Sequence, residues 1–186
     1  MSDLTTILGF AGSLREKSFN KALLRMAKEL KPKDAKLEIF DLEGIPPFNQ
    51  DLEAQPPQKV KEFKGKIRGV DAILIATPEY NYSIPGVLKN AIDWGSRPPT
   101  DNVWEGKPVA IMGASTGKLG SARAQYHLRQ CFVILDMHPI NYPEVMIAHA
   151  GRNFDEAGRL KDQKAIELVT ELLQNLVDWT RKLKKH

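Results

Sequence analysis

Short apolar runs and longer amphipathic stretches alternate along the whole chain. The runs are rich in aliphatic and β-branched residues and are bounded by Gly, Pro or Ser, which is typical of buried strands. They cover residues 4–9, 37–42, 70–76 and 109–113, with a weaker fifth run at 137–140. Apolar residues recur at helical spacing between the runs, and the last helix is predicted over 162–183. This alternation predicts an α/β fold, a three-layer sandwich whose mostly parallel sheet has helices on both faces.

Length and composition narrow the classes of protein. A chain of 186 residues with 42% apolar and 27% charged positions suits one domain over residues 1–186. Its net charge of +4 comes largely from lysine clusters, which we expect to form solvated faces. Basic residues interleaved with exposed aromatic residues, or a helix suited to reading bases, are not apparent, so we expect no nucleic-acid partner. The single cysteine, Cys131, excludes an internal disulfide and a multi-cysteine metal site. We expect no membrane segment, no signal peptide and no metal, and a cytoplasmic location.

The first predicted strand is followed by "GSLREKSFN", residues 12–20, at the start of a helix. Helix N-termini bind phosphate through unpaired N–H groups and the positive end of the dipole. Hydroxyl, guanidinium and amide groups add donors here, on Ser13, Arg15, Ser18 and Asn20. A polar turn with Ser18 or Asn20 as the helix cap is the alternative, but one cap accounts for only one of these residues. The stretch therefore predicts a phosphate site, although "GFAGS" and "GASTGKL" match neither the dinucleotide-binding nor the P-loop motif.

The third predicted strand leads into "ATPEYNYSIPGVLKNAIDW", residues 76–94. Pro78 stiffens the exit of the strand, and Tyr80 and Asn81 offer a ring and an amide where a flat heterocycle could lie. Backbone groups of residues 79–81 are candidates for pairing with the polar edge of that ring. The alternative is that the tyrosines only pack against the edge of the core.

The fourth predicted strand ends in "GASTGKLGS", residues 113–121. Small residues let a backbone approach a ligand closely, so Ser115, Thr116 and Gly117 are candidates to offer N–H groups to the same ring. A tight loop without a ligand would favour the same residue types. Ligands of doubly wound sheets bind beyond the carboxyl ends of the strands, where we expect all three loops to meet.

Together, "GSLREKSFN", "PEYNYSIPGVLKNAIDWGSRP" and "GASTG" followed by "ARAQYHLR" resemble the NAD(P)H-dependent FMN reductase family. The likeness covers residues 4–144 and is closest to bacterial quinone and chromate reductases. It implies a flavodoxin-like fold with a five-stranded parallel sheet of order 2-1-3-4-5 and bound FMN. It also implies two-electron transfer from NADPH or NADH to small-molecule oxidants, namely quinones, flavins, azo dyes or metal oxyanions such as chromate.

The resemblance also assigns site residues. It gives the FMN phosphate to Ser13, Leu14, Arg15, Ser18 and Asn20, and the isoalloxazine to Pro78, Glu79, Tyr80 and Asn81, with Ser115 and Gly117 on the other side. One departure stands out, since the chain has Lys118-Leu119-Gly120-Ser121 where relatives often carry a second glycine pair. This changes the rim of the pocket and with it the substrate preference.

FMN carries the hydride chemistry itself, so we assign no catalytic acid or base and expect a ping-pong reaction. Arg97 is a candidate contact for anionic substrates or nicotinamide phosphates, with an ordinary surface arginine as the alternative. The resemblance further implies a homodimer or homotetramer with the flavin near the subunit boundary. The "ARAQYHLR" helix is a candidate for that boundary, with Arg123, Tyr126 and Arg129 opposite Glu144 of a neighbouring chain.

Two other functions stay open at this point. A flavodoxin-type electron carrier would share the fold and FMN without pyridine-nucleotide activity, but such carriers are acidic and this chain is basic. A phosphate-binding regulatory module would need only the first loop, and the second loop disfavours it.

Overall fold

Six strands form one parallel sheet in the computed structural model, which describes residues 4–185. The strands are β1 (Thr5–Ala11), β2 (Ala35–Phe40), β3 (Ala72–Ala76), β4 (Pro108–Ala114), β5 (His138–Pro139) and β6 (Val145–Ile147). The order β2-β1-β3-β4-β5 confirms the predicted flavodoxin-like topology. The fifth position is shared, since β5 pairs with the start of β4 and β6 with its end.

Helices cover both faces of this sheet. They are α1 (Phe19–Leu30), α2 (Gln58–Arg68), α3 (Gly86–Gly95), α4 (Ala122–Leu135), α5 (Ala150–Asn153) and α6 (Gln163–Leu183), with short 3-10 turns at Gln50–Leu52 and Pro99–Asp101. α1 and α6 pack on one face, and α2, α3 and α4 pack on the other. Within residues 4–185, no helix combines the length and apolar character that crossing a membrane requires.

The strand residues are apolar on both sides because both faces are covered. Leu74 and Ala76 of β3 point into the cluster under α1 and α6, while Ile73 and Ile75 point into the cluster under α2, α3 and α4. A strand buried on both faces is a continuous apolar run rather than an alternating one. This explains why β3 was visible in the sequence.

The predicted elements and the observed ones differ mainly at the last sheet position. β6 was not predicted, because three residues are too few to stand out as an apolar run. β1 also extends to Ala11, two residues beyond the predicted run, and so ends directly before the first loop, residues 12–20. The prediction of α6 is confirmed within one residue at its start.

Candidate functional site

The three loops singled out in the sequence meet at the carboxyl edge of the sheet. β1, β3 and β4 are neighbours, so the segments that follow them leave the sheet side by side. Backbone bonds continue the ladders past the strand ends: Gly12 N–H donates to Ala76 O and Thr77 N–H donates to Met112 O, both at 2.9 Å. The starts of the first two loops are therefore held at fixed separations.

The first loop presents unpaired donors. Ser18 is the N-cap of α1, and its Oγ accepts hydrogen bonds from the N–H groups of Asn20 and Lys21 at 3.2 and 3.4 Å. Among the residues the structure describes, none accepts a hydrogen bond from the backbone N–H groups of residues 13–17. Five consecutive unpaired N–H groups beside the positive end of a helix suit an anion such as phosphate.

Side chains of the first loop add to this cradle and link it to the second loop. Ser13 is buried at 3% exposure, and the Tyr80 hydroxyl donates to its Oγ at 3.4 Å. The Arg15 guanidinium lies 5.5 Å from the Phe19 ring centroid, at the start of α1. Leu14 is 43% exposed and contributes its backbone N–H to the unpaired set.

Asn20 has a different place from the one expected. Its side chain is buried and forms two 2.9 Å hydrogen bonds with Ala114, accepting from the N–H and donating to the carbonyl oxygen. The amide is thereby occupied by the end of β4 instead of facing the first loop. In this structure the Asn20 side chain therefore ties α1 to the start of the third loop, and its contact with a phosphate stays a prediction.

The second loop contains a tight turn in an unusual conformation. Tyr80 and Ser83 exchange backbone hydrogen bonds at 3.1 and 3.0 Å. The two residues between them have positive φ, 49° at Asn81 and 67° at Tyr82, which defines a type I′ turn. The N–H of Tyr80 is used within the turn. Those of Glu79 and Asn81 have no acceptor among residues 4–185 and remain as donors for a ring edge.

The Glu79 side chain points away from these donors, toward α4. Its carboxylate accepts from the backbone N–H groups of Arg123 and Ala124 and forms an ion pair with the Arg123 guanidinium. Burial raises the pKa of Glu79, but the hydrogen bonds from Arg123 and Ala124 outweigh it and hold the pKa below its ordinary value. Arg123 also lies over the Tyr82 ring, with its guanidinium carbon 3.3 Å from the centroid.

His127 contacts the other end of the same turn. Its Nδ1 lies 2.8 Å from the Ser83 Oγ, in hydrogen-bond contact. No role was assigned to His127 from the sequence, so this contact was not predicted. The available signal was its position four residues after Arg123, which places both side chains on the same face of α4.

In the third loop, two of the backbone N–H groups expected to face a ligand are already bonded within the protein. The Ser115 N–H donates to Ile147 O at 3.0 Å, and the Gly117 N–H donates to the Ser115 Oγ at 3.2 Å. These two N–H groups are therefore bonded within the protein, and the N–H groups of Thr116 and of residues 118–121 have no acceptor in the described chain. Leu119 is 50% exposed at the rim.

Arg97 is not brought to this edge. It follows α3, which starts after the second loop and runs about 15 Å to the opposite, amino edge of the sheet. There it lines an open cleft of 610 Å³ together with Phe48, Asn102 and Cys131. Its carbonyl oxygen accepts a hydrogen bond from Lys64. Within this chain, the geometry separates Arg97 from the three loops.

Glu144 contacts α4 within one chain. The Tyr126 hydroxyl donates to Glu144 Oε1 at 2.9 Å, and this hydrogen bond raises the pKa of Tyr126. A pairing with Glu144 of a neighbouring chain stays a prediction. Arg129 donates to Ile140 O at 2.8 Å and so belongs to the same local network.

Comparison with known proteins shows which family and relatives this chain resembles. The sequence pattern of the family described as NADPH-dependent FMN reductase matches residues 5–152. An NAD(P)H-dependent FMN reductase of Pseudomonas aeruginosa is 54% identical over 99% of this chain and 100% of its own length. A 2-hydroxy-1,4-benzoquinone reductase of a Burkholderia species is 41% identical, over 91% of this chain and 93% of its own.

A solved structure agrees with these sequences. FerB, described as a flavoenzyme NAD(P)H:(acceptor) oxidoreductase from Paracoccus denitrificans, superposes with a TM-score of 0.87 at 34% identity. The match covers 96% of this chain and 98% of FerB. The similarity therefore extends through all three loops and both faces of the sheet.

Proposed function

Because the chain belongs to the NADPH-dependent FMN reductase family, we propose that it binds FMN at the carboxyl edge of its sheet and reduces quinones. Family membership confirms the predicted enzyme class and the pairing of FMN with an NAD(P)H donor. The observation that carries the proposal is the run of unpaired N–H groups at residues 13–17 beside the α1 N-terminus. That donor set suits the phosphate of FMN.

Each loop has a proposed part in holding the cofactor. The N–H groups of residues 13–17 and the side chains of Ser13, Arg15 and Ser18 hold the phosphate. The open N–H groups of Glu79 and Asn81 meet the polar edge of the ring, and Pro78 and Tyr80 line it. Ser115 and Gly117 border the ring from the third loop, and Asn20 fixes that loop relative to α1.

The reaction needs little chemistry from side chains. FMN supplies two-electron hydride chemistry when bound, and the chain binds and orients it with one ring face open. No proton-transfer residue is assigned. A single open face serves donor and acceptor in turn, which supports ping-pong order with the oxidised pyridine nucleotide leaving first. Pyridine nucleotides act inside cells, so the proposed location is cytoplasmic.

Quinones are the proposed acceptors because relatives at 38–41% identity are named quinone or benzoquinone reductases. Free flavins, azo dyes and chromate extend the list of acceptors, since an open site over a flat ring selects through a few rim contacts. Steady-state rates with NADPH and NADH against benzoquinone, FMN, an azo dye, ferricyanide and chromate rank the donors and acceptors.

One preparation tests the function and separates it from its rivals. Purified protein loaded with FMN is expected to be yellow, to bleach anaerobically with NADPH or NADH, and to regain colour on adding benzoquinone. A yellow protein that does not bleach would support an electron carrier. Protein that takes up no FMN would support a phosphate-binding module and would contradict the proposal.

We propose a homodimer or homotetramer as the functional form. α4 carries two exposed apolar side chains, Val133 at 83% and Ile134 at 86% exposure. Ile134 also borders the cleft that contains Arg97. Large apolar patches on a surface mark interaction sites. Light scattering at micromolar concentration is expected to give at least twice the 20.9 kDa chain mass, and a monomer would exclude this assembly.

A further inference from the structure

The turn at residues 80–83 adopts a conformation that its own residues do not favour. Asparagine tolerates positive φ, but a bulky tyrosine at φ 67° is an outlier. Such a conformation persists only when the surrounding structure fixes it. The backbone exchange between Tyr80 and Ser83 closes the turn but does not orient it relative to the rest of the site.

α4 contacts this turn at three successive points. Before the turn, the Glu79 carboxylate accepts from the N–H groups of Arg123 and Ala124. Within it, the Arg123 guanidinium covers the Tyr82 ring. At its last residue, Ser83 contacts the His127 ring. Of these contacts, the one to Glu79 is the most buried, since its side chain is only 6% exposed.

We propose that Glu79 is a positioning residue for the flavin ring. Its carboxylate anchors the second loop on the N-terminus of α4 and thereby sets the direction of the open N–H groups of Glu79 and Asn81. The carboxylate itself does not contact the flavin, because both of its oxygens are bonded to α4. This role rests on the proposed function.

The chain offers a matched control at the opposite end of β3. Asp71 accepts from the Thr6 N–H and Oγ at 2.8 Å and pairs with Lys184 at 2.7 Å. Both carboxylates thus bond backbone N–H and a cation, one at each edge of the sheet. Asp71→Asn reports the loss of such a tie far from the three loops.

The first test uses the protein without FMN. Amide hydrogen exchange is followed at Tyr80 and Ser83, whose N–H groups close the turn. Glu79→Ala is expected to speed exchange at both amides about tenfold relative to exchange elsewhere in the protein, because a helix cap of this kind is lost. Glu79→Gln, which keeps an acceptor oxygen, is expected to show a smaller change, and Asp71→Asn none at these amides. Unchanged exchange in Glu79→Ala would overturn the proposal whatever the flavin does.

The second test adds FMN to the same three variants. Glu79→Ala is expected to raise the FMN Kd about tenfold and to shift the visible spectrum of the bound flavin, while Glu79→Gln restores most of both. Asp71→Asn should lower the urea midpoint and keep the wild-type Kd and spectrum. A wild-type Kd and spectrum in Glu79→Ala would refute the positioning role. Absence of FMN binding by the wild type would instead refute the proposed function and leave the exchange result as the test of the anchor.

Discussion

Each edge of the sheet has a carboxylate bonded to backbone N–H and a cation, but the two edges differ in how many backbone N–H groups lack an acceptor. At the amino edge, Asp71 bonds Thr6 and Lys184, and the connections between elements are closed by backbone hydrogen bonds. At the carboxyl edge, the N–H groups of residues 13–17 have no acceptor among residues 4–185. Such donors beside the N-terminus of a helix suit an anionic ligand.

Backbone strain is also unequal between the two edges of the sheet. In the described chain, five residues other than glycine have positive φ, and four of them follow strands at the carboxyl edge. They are Asn81, Tyr82, Ser121 and His149, whereas Asp136 alone lies at the amino edge. Strain of this kind concentrates at functional sites because the geometry there is set by the ligand's needs.

The largest expected effect is the loss of stability when a glycine at each edge is replaced by alanine. Gly120 in the third loop has φ +56°, and an added Cβ would lie 2.4 Å from the Met146 carbonyl carbon. Gly106 before β4 has φ +70° and nothing within 4 Å of that position. We expect Gly120→Ala to cost about 3 kcal/mol, from both strain and crowding, and Gly106→Ala about 1–2 kcal/mol, from strain alone. Urea unfolding measures both, and equal losses would show that the carboxyl edge is not the more crowded one.

The next effect concerns two arginines. Arg15→Ala is expected to weaken FMN binding by about 1.5–3 kcal/mol, because it removes a charge-assisted phosphate contact, which is roughly a 10- to 150-fold rise in Kd. Arg97→Ala at the opposite edge is expected to leave the Kd unchanged. Calorimetric titration of apoprotein with FMN provides both values. The reverse ranking would place the phosphate at the Arg97 cleft.

The smallest effect is shared by both edges. The pKa values of Glu79 and Asp71 lie below their ordinary values: burial raises each, and hydrogen bonds from Arg123 and from Lys184 and Thr6, respectively, outweigh it. Each carboxylate therefore adds stability above its unfolded-state pKa, about 4.3 for Glu and 3.9 for Asp. That stability is lost as pH falls through the lower folded-state pKa.

Glu79→Gln and Asp71→Asn are each expected to lose about 1 kcal/mol at pH 7 and to approach the wild type in acid. Urea unfolding at a series of pH values checks this. A deficit that persists undiminished in acid would show that the carboxylate charge is not its source. The two variants should resemble each other in stability, whereas FMN binding should weaken in Glu79→Ala and stay at the wild-type level in Asp71→Asn.

The sequence predicted most of the fold because the sheet is buried on both faces. β1, β3 and β4 are continuous apolar runs, and that pattern needs no knowledge of tertiary contacts. β6 escaped detection because its three residues gain their strand conformation from pairing with Met112–Ala114 of β4. Only the assembled sheet defines it.

The sequence indicated which loops form the candidate site, but not which side-chain contacts form within it. Residue types led to the prediction of a phosphate site in the first loop, and Ser18 is the N-cap of α1, one of the two positions that the alternative interpretation named. The Asn20 side chain bonds the backbone of Ala114, which is 94 residues away in the chain. The separation of Arg97 from the three loops depends on the direction of α3. Local sequence contains neither fact. The role of α4 in fixing the Tyr80–Ser83 turn likewise appears only when Arg123 and His127 are seen against it.

The most direct test of the central claim is a crystal structure of the protein grown with excess FMN. We expect the FMN phosphate within hydrogen-bond distance of the N–H groups of residues 13–17, with the ring beside the turn at residues 80–83. A phosphate in the cleft that Arg97 and Asn102 line, with the first loop bonded only to protein groups, would contradict it.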